Sequence, residues 1–234
     1  DLANGYARLL SDQETALALY HRALGDFSTK DDLIRLADAM ADNLTDKSQA
    51  AQAYEKAEGK ITDPNDLPAL ARAVMQALGD KKLAAGIFAR AEDRIGQPND
   101  LLRLGNEIRE TLSDKAQAGA VYRKALDAAS EYPQLQRLLD VLAGGYDDST
   151  ALLDAAERSG KLGADGLMTV KALDLAEDAV KSLDEMRKLN ETVSRLAGDD
   201  TQRLKRVAAK LEKREASQAI RDALMLWVDE DRLR

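Results

Sequence analysis

Apolar residues recur along this chain at three- and four-residue spacing, in short runs separated by polar stretches that carry aspartate or proline. Leu67, Leu70, Ala71, Val74 and Leu78 form one run, Leu101, Leu104, Gly105, Ile108 and Leu112 the next, and Leu135, Leu138, Leu139 and Leu142 a third. This spacing gathers the apolar positions into one stripe of a helix, so each run predicts an amphipathic α-helix of about three turns. A second kind of run alternates with the first: Ala16, Tyr20 and Ala23, then Ala50, Tyr54 and Ala57, then Ala84, Phe88 and Ala91, then Ala118, Tyr122 and Ala125. Small, aromatic and small residues at i, i+4 and i+7 again share one helical face. Asp12, Asp46, Asp80 and Asp114 stand where each of these second helices needs an N-cap, with Ser11 and Glu14 as a capping box in the first copy. Asp63-Pro64 and Gln97-Pro98 open first helices, because proline is tolerated where no N–H has to be donated, and Pro133 repeats the signal one residue early.

Each of these columns returns every 34 residues. A period of this length means stacked helical hairpins, which decides the architecture before any other feature is weighed. Leu2, Ala3, Tyr6 and Leu10 stand one period before Leu36, Ala37, Met40 and Leu44, so residue 1 falls inside a first helix. The expectation is a truncated first unit belonging to a larger polypeptide. After Gly144-Gly145 the pattern decays: Asp148 keeps step, but the aromatic column becomes Ala156 and the alanine column Ser159. Helices are expected near 167–183 and 184–197 and from 201 onward, the last carrying Trp227. Residues 1–160 are therefore assigned to the repeats, the last one degenerate. Residues 161–234 are assigned to a C-terminal helical cap, with diverged repeats or a small bundle as the alternatives.

The period, the helical hairpin and the Ala-aromatic-Ala triplet resemble tetratricopeptide (TPR) or half-a-TPR repeats over about residues 1–145. The departures are the absence of Trp from the first helix, Leu36-Ala37 and Leu70-Ala71 in place of Leu-Gly, which only Leu104-Gly105 keeps, and a turn one residue longer. The resemblance implies an all-α, right-handed α-α superhelix that binds proteins or peptides. In such arrays one flank of the first helix lines the concave surface. Here that flank holds Ile34, Asp38, Arg72, Met75, Leu102, Asn106 and Arg109, the candidate peptide-binding groove, in which apolar residues supply area and Arg72 and Arg109 orient an acidic or C-terminal group. The chaperone-tail clamp of some TPR proteins needs Lys and Asn on successive helices. Asn4 with Arg8 alone resembles it, while Asp38, Asp42 and Glu110 oppose it.

Composition removes several rival readings. With 44% hydrophobic residues but only 4% aromatic, the chain suits Ala- and Leu-rich helix packing. A net charge of −8 argues against nucleic acid or an anionic membrane as the main partner. There is no cysteine and a single histidine, His21, whose repeat equivalents are Glu55, Ala89 and Arg123, so it reads as solvent-facing. Thiol chemistry is excluded, no cofactor or transition-metal site is expected, and cytoplasm and periplasm both stay open. Gly160-Lys161 lacks the order of a phosphate loop, and Asp147-Asp148 lacks the alternation of a calcium loop. Arg203, Lys205, Arg206, Lys210, Lys213 and Arg214 make a basic segment that is either a solvated face or a dock for something acidic. The sequence thus predicts a non-enzymatic protein- or peptide-binding scaffold. The alternative is a structural spacer or self-assembly module, with self-association among its partners.

Overall fold

The computed structural model describes residues 2–10, 12–143, 146–161, 166–196 and 200–232, excluding the side chains of 9 and 223–232. Among these the chain is an all-α solenoid: α1 (Leu2–Leu9), α2 (Gln13–Asp26), α3 (Lys30–Asn43), α4 (Ser48–Glu58), a 3-10 turn (Pro64–Asp66), α5 (Leu67–Leu78), α6 (Lys81–Arg94), α7 (Pro98–Leu112), α8 (Lys115–Ala128), α9 (Tyr132–Leu142), α10 (Ser149–Lys161), α11 (Gly166–Ala179), α12 (Leu183–Leu196) and α13 (Thr201–Arg232). No strand occurs among them. They form two compact units, Asp1–Tyr122 and Arg123–Arg234, with the division inside α8 rather than at the boundary assigned at 160.

In the first unit the predicted columns are the core. Ala16, Ala50, Ala84, Tyr54 and Phe88 are fully buried, as are Leu33, Leu67 and Leu101. The alanines let paired helices approach closely, and each aromatic fills the space this leaves. Tyr20 reaches beyond its own hairpin, its Oη lying 3.2 Å from the carbonyl oxygen of Ala39. The capping aspartates act as expected at α2 and α6, where Asp12 accepts from the Thr15 N–H at 3.0 Å and Asp80 from the Leu83 N–H at 2.9 Å. Asp114 accepts from the Gln117 N–H at 3.0 Å. Asp46 is displaced by one position: Lys47 is the N-cap of α4, and Asp46 holds the Ser48 N–H and hydroxyl instead. Ser11 lies outside the described residues. The helix expected from Pro64 starts as a 3-10 turn, because Pro68 has no N–H to send back to the Pro64 carbonyl.

A basic column missed in the sequence reading ties successive second helices together. Lys56 Nζ donates to the Leu24 carbonyl near the end of α2, Arg90 grips the Glu58 carboxylate at the end of α4 with its second contact at 2.8 Å, and Arg158 donates to the Leu126 carbonyl in α8. A cation at a helix C-terminus opposes the negative end of the helix dipole.

The second unit keeps the period of the backbone after losing that of the side chains. α11 begins at Gly166, 34 residues after α9 at Tyr132; α12 begins at Leu183, 34 after α10 at Ser149; α13 begins at Thr201, 35 after α11. The caps persist too. Asp148 accepts from the Ala151 N–H at 3.1 Å, and one period on Ser182 takes the Glu185 N–H at 3.1 Å while Glu185 returns the favour to the Ser182 N–H at 3.2 Å. The described helices after 161 therefore keep the spacing of the unit. Polar residues that enter its apolar columns are satisfied in place: Ser159 and Thr169 hydrogen-bond each other at 2.7 Å, and Arg203, one period after Thr169 in the leucine column, is buried against the Val170 carbonyl and Asp174 at 2.6 Å.

Candidate functional site

The column assigned to the groove divides according to what the aromatic sixteen residues later requires. Asn4 accepts the Tyr20 hydroxyl at 2.6 Å, Asp38 accepts the Tyr54 hydroxyl and Asn106 accepts the Tyr122 hydroxyl at 2.7 Å. A buried phenol must place its O–H, so wherever the aromatic is Tyr this column carries an acceptor. Burial pushes the Tyr54 hydroxyl well above the usual phenol range, and its bond to Asp38 adds to the shift. Burial likewise raises Tyr122, opposed by the nearby charge of Arg109. Asp38 and Asn106 are therefore committed to the interior, which is a second role beside the one the sequence proposed.

The third unit breaks the pairing. Phe88 has no hydroxyl, and Arg72 stands where the acceptor would be. Its guanidinium turns to the next first helix and pairs with Glu107 at 3.5 Å. This pair lies on a continuous cleft across α5 and α7. On one side is a cavity of about 390 Å³ lined by Asp66, Pro68, Arg72, Ile95, Arg103 and Glu107, among others. On the other is a cavity of about 290 Å³ lined by Arg72, Met75, Gln76, Glu107, Glu110 and Thr111. Arg72 and Met75 are thus the sequence-predicted residues that share a site. Ile34 is half-buried on α3, Leu102 is only 8% exposed and offers little area to a ligand, and Arg109 is exposed outside the cleft lining.

Glu107 and Arg103 were not foreseen, and Glu110 was read only as opposing a chaperone-tail clamp. Glu107 lies 35 residues after Arg72 and so falls outside any column of exact period; only the diagonal contact between neighbouring first helices finds it. The cleft walls combine short apolar surfaces, Pro68, Ile95 and Met75, with charges of both signs. Asp66 is held by Lys30 and Asp100 by Arg103 at 3.3 Å, so Glu110 is the lining carboxylate with no ion pair among the described residues. Such walls suit a chain segment that brings its own polar groups.

The basic segment of α13 is largely spent within its own unit. Arg206 clamps Glu177 at 3.1 and 2.7 Å, Lys210 joins the same carboxylate, and Arg214 donates to the carbonyls of Ser182 and Val180. Burial would raise Glu177, but the hydrogen bonds from Arg206 and Lys210 outweigh it and hold the carboxyl below its usual range. Lys205 and Lys213 are left exposed. His21 is exposed, as its column predicted. No described helix is long and apolar enough to cross a membrane.

No protein-family model matches the chain, and no curated protein matches it in sequence. Among solved structures, the chain is similar to one described as a circular tandem repeat protein with novel repeat topology and enhanced subunit contact surfaces, at 16% identity and a TM-score of 0.27 over 94% of this chain. A second likeness, at 15% identity and a TM-score of 0.14 over 89% of this chain, is to a structure from the computational design of self-assembling cyclic protein homooligomers. The chain spans 64% of the length of each. TM-scores this far below one half bear on neither fold nor function.

Proposed function

We propose that this chain is a non-enzymatic scaffold of TPR-like type that holds a protein or peptide segment in the cleft across α5 and α7. The observation that carries this reading is the Arg72–Glu107 pair. It sits at the junction of two adjoining cavities, in the unit where Phe88 stands in the tyrosine column and leaves position 72 without a hydroxyl to accept. A segment lying there has apolar patches to cover and one charge of each sign to exchange with, an arrangement that orients through charge-assisted hydrogen bonds.

Selection of random peptides displayed on phage against the immobilised full chain tests the reading. Enriched peptides should bind Arg72→Ala and Glu107→Ala about tenfold or more weakly, since few residues carry most of an interface's energy. Absence of enrichment, or binding indifferent to both changes, would remove the cleft as the site.

A further inference from the structure

The α5–α7 cleft has an electrical direction. Asp66, Pro68, Asp100 and Arg103 line one end of it, and Met75, Gln76, Glu110 and Thr111 line the other, with Arg72 and Glu107 between them. The first end thus gathers the starts of α5 and α7 and the second gathers their last turns, so the two helices run the same way along the cleft. At the first end the acids are matched. Lys30 holds Asp66, Arg103 holds Asp100 at 3.3 Å, and two helix N-termini favour negative charge there. At the second end the carboxylates of Glu107 and Glu110 add to the partial negative charge of two helix C-termini. Arg72 is the cation lining this end, and it is paired with Glu107 at 3.5 Å.

The fold already answers the α5 end of this field with a cation: Lys47 donates from Nζ to the Ala77 carbonyl, in the last turn of α5, at 2.9 Å. What stays open to a partner is the α7 side, where Glu110 is exposed and Thr111 half-buried. Arg109, next to Glu110 in sequence, lines neither cavity. The cavity at this end, about 290 Å³, has room for a long side chain, and the half-buried Met75 gives it an apolar wall. We infer, resting on the binding role proposed above for this cleft, that the segment held there is basic. A lysine or arginine of that segment lays its methylene stem on Met75 and brings its charge to Glu110 beside Glu107. The anchoring group is therefore a cation, where the sequence reading expected Arg72 and Arg109 to orient an anion.

A charge exchange tests it. A peptide enriched by phage selection against the full chain is synthesised twice, once with its basic residue intact and once with that residue changed to Glu. The intact peptide should bind the parent chain about tenfold or more tightly than it binds Glu110→Lys, and the Glu peptide should show the reverse order. Glu110→Gln removes the charge without reversing it and should fall between. Glu110 is exposed, so unchanged circular dichroism and melting would show that both variants fold. Peptides that need Arg72 and Glu107 but share no basic residue overturn this inference and leave the cleft itself standing, as does a basic residue that matters equally to Glu110→Lys. Enrichment of acidic peptides that depend on Arg72 has the same meaning, since it would make the guanidinium the anchor. Absence of enrichment, or binding indifferent to Arg72→Ala and Glu107→Ala, overturns the cleft and this inference together.

Discussion

Tyr54 shows how one residue can serve the core and a hydrogen bond at once. Its ring is fully buried and its hydroxyl is held by Asp38. Replacing it with Ala should cost about 3–5 kcal/mol in chemical denaturation, the range for large aromatic truncations in cores. Tyr54→Phe keeps the ring and loses only the hydrogen bond, so about 0.5–1.5 kcal/mol is expected, consistent with the Phe88 that the third unit carries naturally. The sign of the alkaline response follows from the raised phenol. The folded state holds this proton more tightly than the unfolded state, so its contribution is complete at neutral pH and is lost as pH rises past the ordinary phenol value of about 10. Tyr54→Phe should therefore lose less stability than the parent between neutral and strongly alkaline pH. At Gly105 the constraint is steric. A Cβ would lie 2.4 Å from Cε1 of Tyr122, so Gly105→Ala should destabilise by about 1–3 kcal/mol, as overpacking does, and a neutral result in urea melts would show that the ring moves aside freely.

At the scale of elements, the period was legible because caps and core columns are local and recur with the chain. Helix existence, the buried Ala-aromatic-Ala face and the capping aspartates could all be read that way. The use of Asp38 and Asn106 could have been read as well, since acceptor and tyrosine vary together in the first four units, Asn4 with Tyr20, Asp38 with Tyr54, Arg72 with Phe88 and Asn106 with Tyr122, before Asp140 with Ala156 breaks the rule. Glu107 could not, because its contact with Arg72 runs diagonally between helices. In the second unit the columns fail while the helix spacing holds, because buried polar pairs replace apolar contacts there. Glu177 measures the strength of that exchange. Its carboxyl is depressed, so the stability it supplies is complete above the ordinary carboxylate value and is lost as pH falls below it. Acid melts should show Glu177→Gln less stable than the parent at neutral pH and the difference shrinking at low pH; a constant difference would contradict the ion-pair account. Deleting everything after Lys161 strips α11 from α10, on which it packs, and should cause aggregation or loss of cooperative unfolding. A soluble fragment of equal stability would mean that the later helices stand alone.

Across the whole molecule, identical architecture is repeated while individual positions are released for other tasks. Phe88 leaves Arg72 free to pair with Glu107. That departure from the period opens onto the proposed cleft, whereas the polar departures at Ser159, Thr169 and Arg203 are taken up by internal hydrogen bonds. Backbone amide shifts of the isotope-labelled full chain, titrated with a phage-selected peptide, test that claim most directly. The account predicts perturbations concentrated on α5 and α7 around Arg72, Met75 and Glu107, and their loss in Arg72→Ala. Perturbations centred instead on α13, with α5 and α7 silent, would contradict it.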